Sequence, residues 1–269
     1  MDSPPELDEL SRLARSEDLA DRSFVNGVLR LRYARFPEER AKTKAAYAEA
    51  RACSLRIHAR TRAALKDGSL RGARLRELLE RVGDAFTEEL LDVAHPPLEE
   101  LRLPPHHTPY IASGLAEVLH ALDVTGLGPD DTLVDVGAGL GKVVMLANLL
   151  TGARAEGVEL DSALVGEARQ GAKSLGLDRV SFVQGDARTA ELAEARVYYL
   201  FSPFSAEVLD AVMARLRGIA ERREVFVCAS AAGCEWLTPV SAPSSWLVVH
   251  RSPSLRASGE RVGERGRPA

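Results

Sequence analysis

The chain has little of what staples or threads a protein. Its 269 residues hold three cysteines, Cys53, Cys228 and Cys234, widely spaced and without a C-x-x-C pair. That excludes a disulfide framework and offers no zinc spacing, so the cysteines read as small apolar core residues. No apolar run approaches the roughly 20 residues that span a bilayer. The opening Met-Asp-Ser-Pro-Pro-Glu is acidic and lacks the apolar stretch of a signal peptide. Neither charge predominates: 35 Lys plus Arg face 39 Asp plus Glu, a net charge of −4, which gives no global argument for nucleic acid or anionic lipid. A composition 45% apolar and 28% charged excludes collagen-like, coiled-coil-only and wholly disordered chains. The expectation is a soluble, cytoplasmic protein without membrane contact, built as one large domain or a modest domain with a helical extension.

What is present falls into two textures. Residues 6 to about 103 are rich in Ala, Leu, Arg and Glu, with breaks at Pro37, Gly68, Gly83 and Pro96-Pro97. Pro37 followed by Glu38 and Glu39 is a helix start, because proline loses nothing at the first position and carboxylates suit the positive end. Leu55, Ala59, Arg62 and Leu65 run on to Gly68, a natural stop. Leu75, Leu78, Leu79 and Val82 recur at three-to-four spacing and predict another helix. Residues 1–105 are therefore expected to form a cap of four or five helices without strands. From residue 132 the pattern becomes short apolar runs, Thr132–Val136, Ala155–Glu159, Val180–Gln184, Val197–Phe201 and Glu224–Ala229. Between them lie helix candidates at Lys142–Thr151, Ala163–Leu175 and Ala206–Ala220. Such alternation predicts a parallel sheet covered on both faces. Trp236–Val240 and Trp246–His250, flanking Ser241-Ala242-Pro243-Ser244-Ser245, read as a closing antiparallel hairpin. Residues 251–269 carry little apolar content and are expected to be disordered. No internal repeat is present.

The strongest signal is Val134-Asp135-Val136-Gly137-Ala138-Gly139-Leu140-Gly141-Lys142. A buried strand enters a loop with glycine at every second position, and a helix follows. Glycines let the backbone turn sharply and let a ligand come close, and a helix N-terminus presents unpaired N–H groups. The dinucleotide fingerprint would need glycine where Lys142 stands, and Asp135 at the strand end suits an ammonium better than a pyrophosphate. Glu159 ends the next strand, where a carboxylate accepts from a ribose diol. Asp186, in Gly185-Asp186-Ala187 after the third strand, can accept from an exocyclic amine such as that of adenine. Ammonium, ribose and adenine in that order describe S-adenosyl-L-methionine.

At this point the residues resemble the class I, Rossmann-like S-adenosylmethionine-dependent methyltransferases. The resemblance covers about residues 106–250 and rests on D-V-G-A-G-L-G-K, G-V-E-L-D, Q-G-D-A and Y-Y-L-F-S-P-F taken together. It implies an α/β fold with a seven-stranded sheet of five parallel strands and a reversed last strand. It also implies that Asp135, Gly137, Gly139, Gly141 and Lys142 surround the methionine portion, that Glu159 holds the ribose, and that Asp186 with Ala187 cradles the adenine.

On the acceptor side, Ser202-Pro203-Phe204 ends the fourth strand and is similar to the Asp/Asn-Pro-Pro-Tyr/Phe signature of amino-group methyltransferases, with serine first and one proline. Leu200–Phe204, continuing through Ser205-Ala206-Glu207-Val208, looks like the same segment in bacterial relatives of the non-SET histone-lysine methyltransferase family. The resemblance gives Ser202, Pro203, Phe204 and Tyr110 catalytic roles and Thr108 a cofactor contact, since Thr108-Pro109-Tyr110 is similar to a closing loop ahead of a helix from Ile111 to about Leu122. Capping alone would also explain Thr108 and Pro109. His106 and His107 have no third ligand at metal spacing, and no metal is expected. Residues 30–62 hold ten basic residues (Arg30, Arg32, Arg35, Arg40, Lys42, Lys44, Arg51, Arg56, Arg60, Arg62) against Glu38, Glu39 and Glu49; a docking face and a solvated helix face both account for them. The implied activity is N-methylation of an amino or lysine-type acceptor, a small molecule, peptide or protein, with nucleic acid not expected. O-methylation of a secondary metabolite, or a non-catalytic binding scaffold of the same fold, are the alternatives.

Overall fold

From residue 132 to residue 184 strand and helix alternate because the apolar runs are cut by the glycine loop or by an acidic turn before a helix-forming stretch begins. The computed structural model describes residue 12 and residues 40–91, 112–200, 204–229, 233–242 and 247–253. Within them, α1 is Arg40–Lys66, α2 Gly72–Leu91, α3 Leu115–Thr125, β1 Thr132–Val136, α4 Lys142–Thr151, β2 Arg154–Glu159, α5 Ser162–Ser174, β3 Val180–Gln184, β4 Val197–Leu200, α6 Ala206–Ala220, β5 Phe226–Ala229, β6 Thr238–Pro239 and β7 Val248–Arg251.

The sheet is seven-stranded in the order β3-β2-β1-β4-β5-β7-β6. The first five strands in sequence pair in parallel, and β7 runs antiparallel to both β5 and β6. This is the Rossmann-like α/β architecture expected from the sequence. The order reverses between β1 and β4, and beyond the carboxyl ends of strands at such a switch open α/β sheets bind ligands. Period-two alternation sorts each strand between two cores. Leu133, Tyr199 and Cys228 pack with α2, α3, α4 and α5, whereas Val134, Tyr198, Leu200 and Val227 pack with α6.

In the N-terminal half, α1 stops just before Gly68, which takes a left-handed φ of 79°. Leu75, Leu79 and Val82 face the core as their spacing predicts. Gly83, read as a break, instead kinks α2 (φ 76°, ψ −168°), and the helix resumes beyond it. The third helix begins at Leu115 rather than Ile111 and runs to Thr125. Its start is fixed from outside: the Asp84 carboxylate accepts the Leu115 N–H at 2.9 and 3.1 Å. The hairpin is shorter than predicted, since β6 pairs only Thr238 and Pro239 with β7. The expected helices before residue 40, Phe201 and the tail beyond residue 253 lie outside the described residues. Among the described residues, no helix is long and apolar enough to cross a membrane.

Candidate active site

The glycine loop is tied to β2 before any ligand is considered. Gly137 and Ala138 both donate N–H to the Val158 carbonyl, at 2.8 and 3.0 Å, and Gly141 donates to the Ala138 carbonyl at 2.8 Å. Gly139 donates to Glu159 Oε2 at 2.8 Å, and Asp161 N donates to Oε1 at 2.9 Å. Gly137, Gly139 and Gly141 all have positive φ, at 89°, 54° and 79°, a region that costs an L side chain. Gly141 is needed for a second reason. A Cβ there would lie 2.4 Å from Phe182 Cζ, so the third glycine admits a β3 aromatic beneath the loop and not a ligand. Gly157 on β2 makes room for the same ring, where a Cβ would stand 2.7 Å from both Phe182 Cδ1 and the Ala138 Cβ.

Asp135 sits one step before the loop and is almost fully buried, at 4% exposure. Its carboxylate accepts no hydrogen bond from the described residues. Burial, and then the Glu159 charge, push its pKa up to about 8. It lies in register with Tyr199 on β4, which is in register with Cys228 on β5, so the three side chains line one face. Tyr199 is fully buried, and its hydroxyl stands beside Ser113 without reaching hydrogen-bond geometry. Burial raises the pKa of Tyr199 well above the usual phenol range and that of Cys228 above the usual thiol range.

The remaining predicted residues separate. The Asp186 carboxylate is gripped by Arg188, through the backbone N–H at 2.9 Å and the guanidinium at 2.6–3.1 Å. Ala187 is buried against the α6 side, and its carbonyl accepts from Arg215 Nη1 at 2.5 Å. Lys142 does not point into the loop it follows. Its side chain is 3% exposed, with Nζ 2.5 Å from Asp84 Oδ1 and 3.1 Å from Glu88 Oε1 of α2. Phe204 is half-buried against the α6 core. Thr108, Tyr110, Ser202 and Pro203 lie outside the described residues. Sequence reading missed Asp84, Glu88, Tyr199 and Phe182. The available signal was the i, i+4 spacing of Asp84 and Glu88, which places two carboxylates on one helix face.

These donors and acceptors fit S-adenosylmethionine. A buried carboxylate without a hydrogen bond, pressed by a second carboxylate, is relieved by a cation and would be worsened by a phosphate. Each Glu159 oxygen has one backbone donor and keeps a lone pair for a ribose hydroxyl.

Residues 133–222, from β1 to just past α6 and so containing the loop, Glu159 and Asp186, match a family model described as "Methyltransferase domain". Similar solved structures include an RNA methyltransferase from Salinibacter ruber in complex with S-adenosyl-L-homocysteine, 29% identical over 53% of this chain and 92% of that one, with a TM-score of 0.45. A geranyl diphosphate C-methyltransferase from Streptomyces coelicolor A3(2) is 23% identical over 42% of this chain and 45% of its own, with a TM-score of 0.36. TrmN from Thermus thermophilus is 16% identical over 50% and 47%, with a TM-score of 0.41. The chain thus spans less than half the length of the latter two. No curated protein matches it.

Proposed function

We propose that this chain, whose residues 133–222 match a methyltransferase-domain model, is an S-adenosylmethionine-dependent methyltransferase that methylates nitrogen in an amino or lysine-type acceptor on a protein, peptide or small metabolite. When bound, the cofactor supplies an electrophilic methyl group on a sulfonium sulfur. Asp135 accepts from its ammonium, Glu159 from its ribose hydroxyls, and Asp186 with Ala187 borders its adenine. Ser202, Pro203 and Phe204 follow β4 at the switch point and face the acceptor, while Thr108 and Tyr110 close over the methionine end. Residues 1–105 form a cap, residues 106–250 the catalytic domain and residues 251–269 a tail.

What supports nitrogen is the likeness of Ser202-Pro203-Phe204 to the amino-group signature, together with the lack of a base among the described residues that line the sheet face beside Asp135. Burial keeps both Tyr199 and Cys228 in their neutral, protonated forms, so neither takes a proton from an alcohol. A neutral amine needs no such base. Ser202, Pro203 and Phe204 would then have only to hold the neutral amine against the methyl group that the cofactor supplies. The protein's task is then alignment and exclusion of water. The likeness of Leu200–Val208 to lysine methyltransferase segments supports the same reading. The net charge of −4 gives no argument for a nucleic-acid acceptor, and RNA is an outcome of the test below.

Acceptor screening with methyl-labelled cofactor tests this. Label should enter peptides or amines, survive mild base, and vanish when acceptor amines are acetylated beforehand. Base-labile label, label indifferent to acetylation, or label in RNA with steeply salt-dependent binding would overturn it.

A further inference from the structure

We propose that Asp84 is a positioning residue for the cofactor cleft, holding with one carboxylate both the lysine that follows the glycine loop and the first N–H of α3; the link to the cofactor rests on the function proposed above. The kink at Gly83 breaks the α2 ladder and is braced by Thr87, whose hydroxyl donates to the Gly83 carbonyl at 2.8 Å. The next residue, Asp84, is thereby turned toward two helix starts. Its Oδ1 lies 2.5 Å from Lys142 Nζ, and both oxygens accept the Leu115 N–H. Glu88, one turn further, adds a contact to Nζ at 3.1 Å. The Lys142 side chain is 3% exposed, and an ammonium so enclosed requires its carboxylates.

Helix α3 has Gly114 at its N-cap and no side-chain cap bond of its own. Asp84 supplies that bond from 31 residues upstream and places a negative charge at the positive end of the helix. The consequence reaches Asp135 from two directions. Lys142 is bonded to Gly141, so fixing its side chain fixes the outgoing arm of the loop. Ser113 and Glu117, on either side of the anchored Leu115, stand beside Tyr199, the register partner of Asp135. Both walls around Asp135, whose carboxylate accepts no hydrogen bond from the described residues, therefore hang on a residue outside the 133–222 segment. That gives the N-terminal helices a part in cofactor binding that packing alone would not require.

The test uses the full chain with Asp84→Asn, Lys142→Met and the double variant. Amide hydrogen exchange is followed at residues 113–117 and 137–142, with β4 as internal reference, beside calorimetric titration with S-adenosylhomocysteine. Exchange in both segments should quicken about tenfold while β4 keeps its protection. S-adenosylhomocysteine should bind about tenfold more weakly, and the double variant should lose no more than the worse single one. Should Asp84→Asn fail to fold, Glu88→Gln is expected to move both readouts the same way by less. Unchanged exchange in the two segments, unchanged affinity, or losses that add in the double variant overturn the proposal, even with a lower melting temperature. If the wild-type chain does not bind S-adenosylhomocysteine, the methyltransferase reading falls, and the exchange data still decide whether Asp84 holds the loop.

Discussion

Gly139 donates its backbone N–H to Glu159 Oε2 across 2.8 Å, so the carboxylate assigned to the ribose also sets the shape of the loop around the methionine portion. Charge and acceptor geometry at Glu159 can therefore be separated by substitution. Glu159→Gln keeps one acceptor oxygen for Gly139 and should weaken S-adenosylhomocysteine binding about tenfold. Glu159→Ala loses both roles and should weaken it by about a hundredfold, since hydrogen bonds to charged groups contribute about 1.5–3 kcal/mol each. Titration calorimetry of the two variants checks the order; equal losses would mean that the loop does not depend on this bond.

Gly141→Ala should destabilise the fold by at least about 2 kcal/mol, because it adds left-handed strain to a Cβ 2.4 Å from Phe182 Cζ. Phe182→Leu in the same chain should recover the steric part and leave the backbone part. Urea unfolding midpoints of the single and double variants measure the split. No recovery would show that the ring is not what the glycine accommodates.

Asp135 predicts a pH dependence of definite sign. Its folded pKa of about 8 lies above the ordinary 3.8, so between those values the folded state binds more protons than the unfolded one. The unliganded chain should lose stability as pH rises through that window, and Asp135→Asn should flatten the slope. The ligand's ammonium group favours the ionised form of Asp135, so S-adenosylhomocysteine affinity should rise between pH 6 and 8, with a slope bounded by about tenfold per unit. Proton release on binding, read from calorimetry in buffers of different ionisation enthalpy, checks it independently.

Arg188 occupies the carboxylate assigned to the adenine amine. Arg188→Ala should therefore leave S-adenosylhomocysteine affinity unchanged or up to about threefold tighter, whereas Asp186→Ala should weaken it by about 1–2 kcal/mol. A matching loss in both variants would instead make the pair a structural brace of the turn.

Much of this was legible in the residues. Thr132–Val136, Val180–Gln184, Lys142–Thr151 and Ala206–Ala220 have the bounds that the apolar runs and their flanking turns predict, because local pattern and tertiary demand agree there. The closing hairpin was legible in the same way, while the reversal of the last strand against β5 was implied by the resemblance. Elements set by distant partners were not. The start of α3 depends on Asp84, and the passage of α2 through Gly83 depends on a bond from Thr87. Lys142 illustrates the limit at the site: its place in the motif suggests a ligand contact, while its ammonium is enclosed by two carboxylates of α2. Spacing located the loop, and only packing could reveal which way its neighbour points.

The brevity of β6 has a bearing on self-association. A two-residue border strand ending in Pro239, which lacks an N–H, offers an incoming chain almost nothing to bond to. Among the described strands, lateral growth of the sheet is open only along the Val180–Gln184 flank.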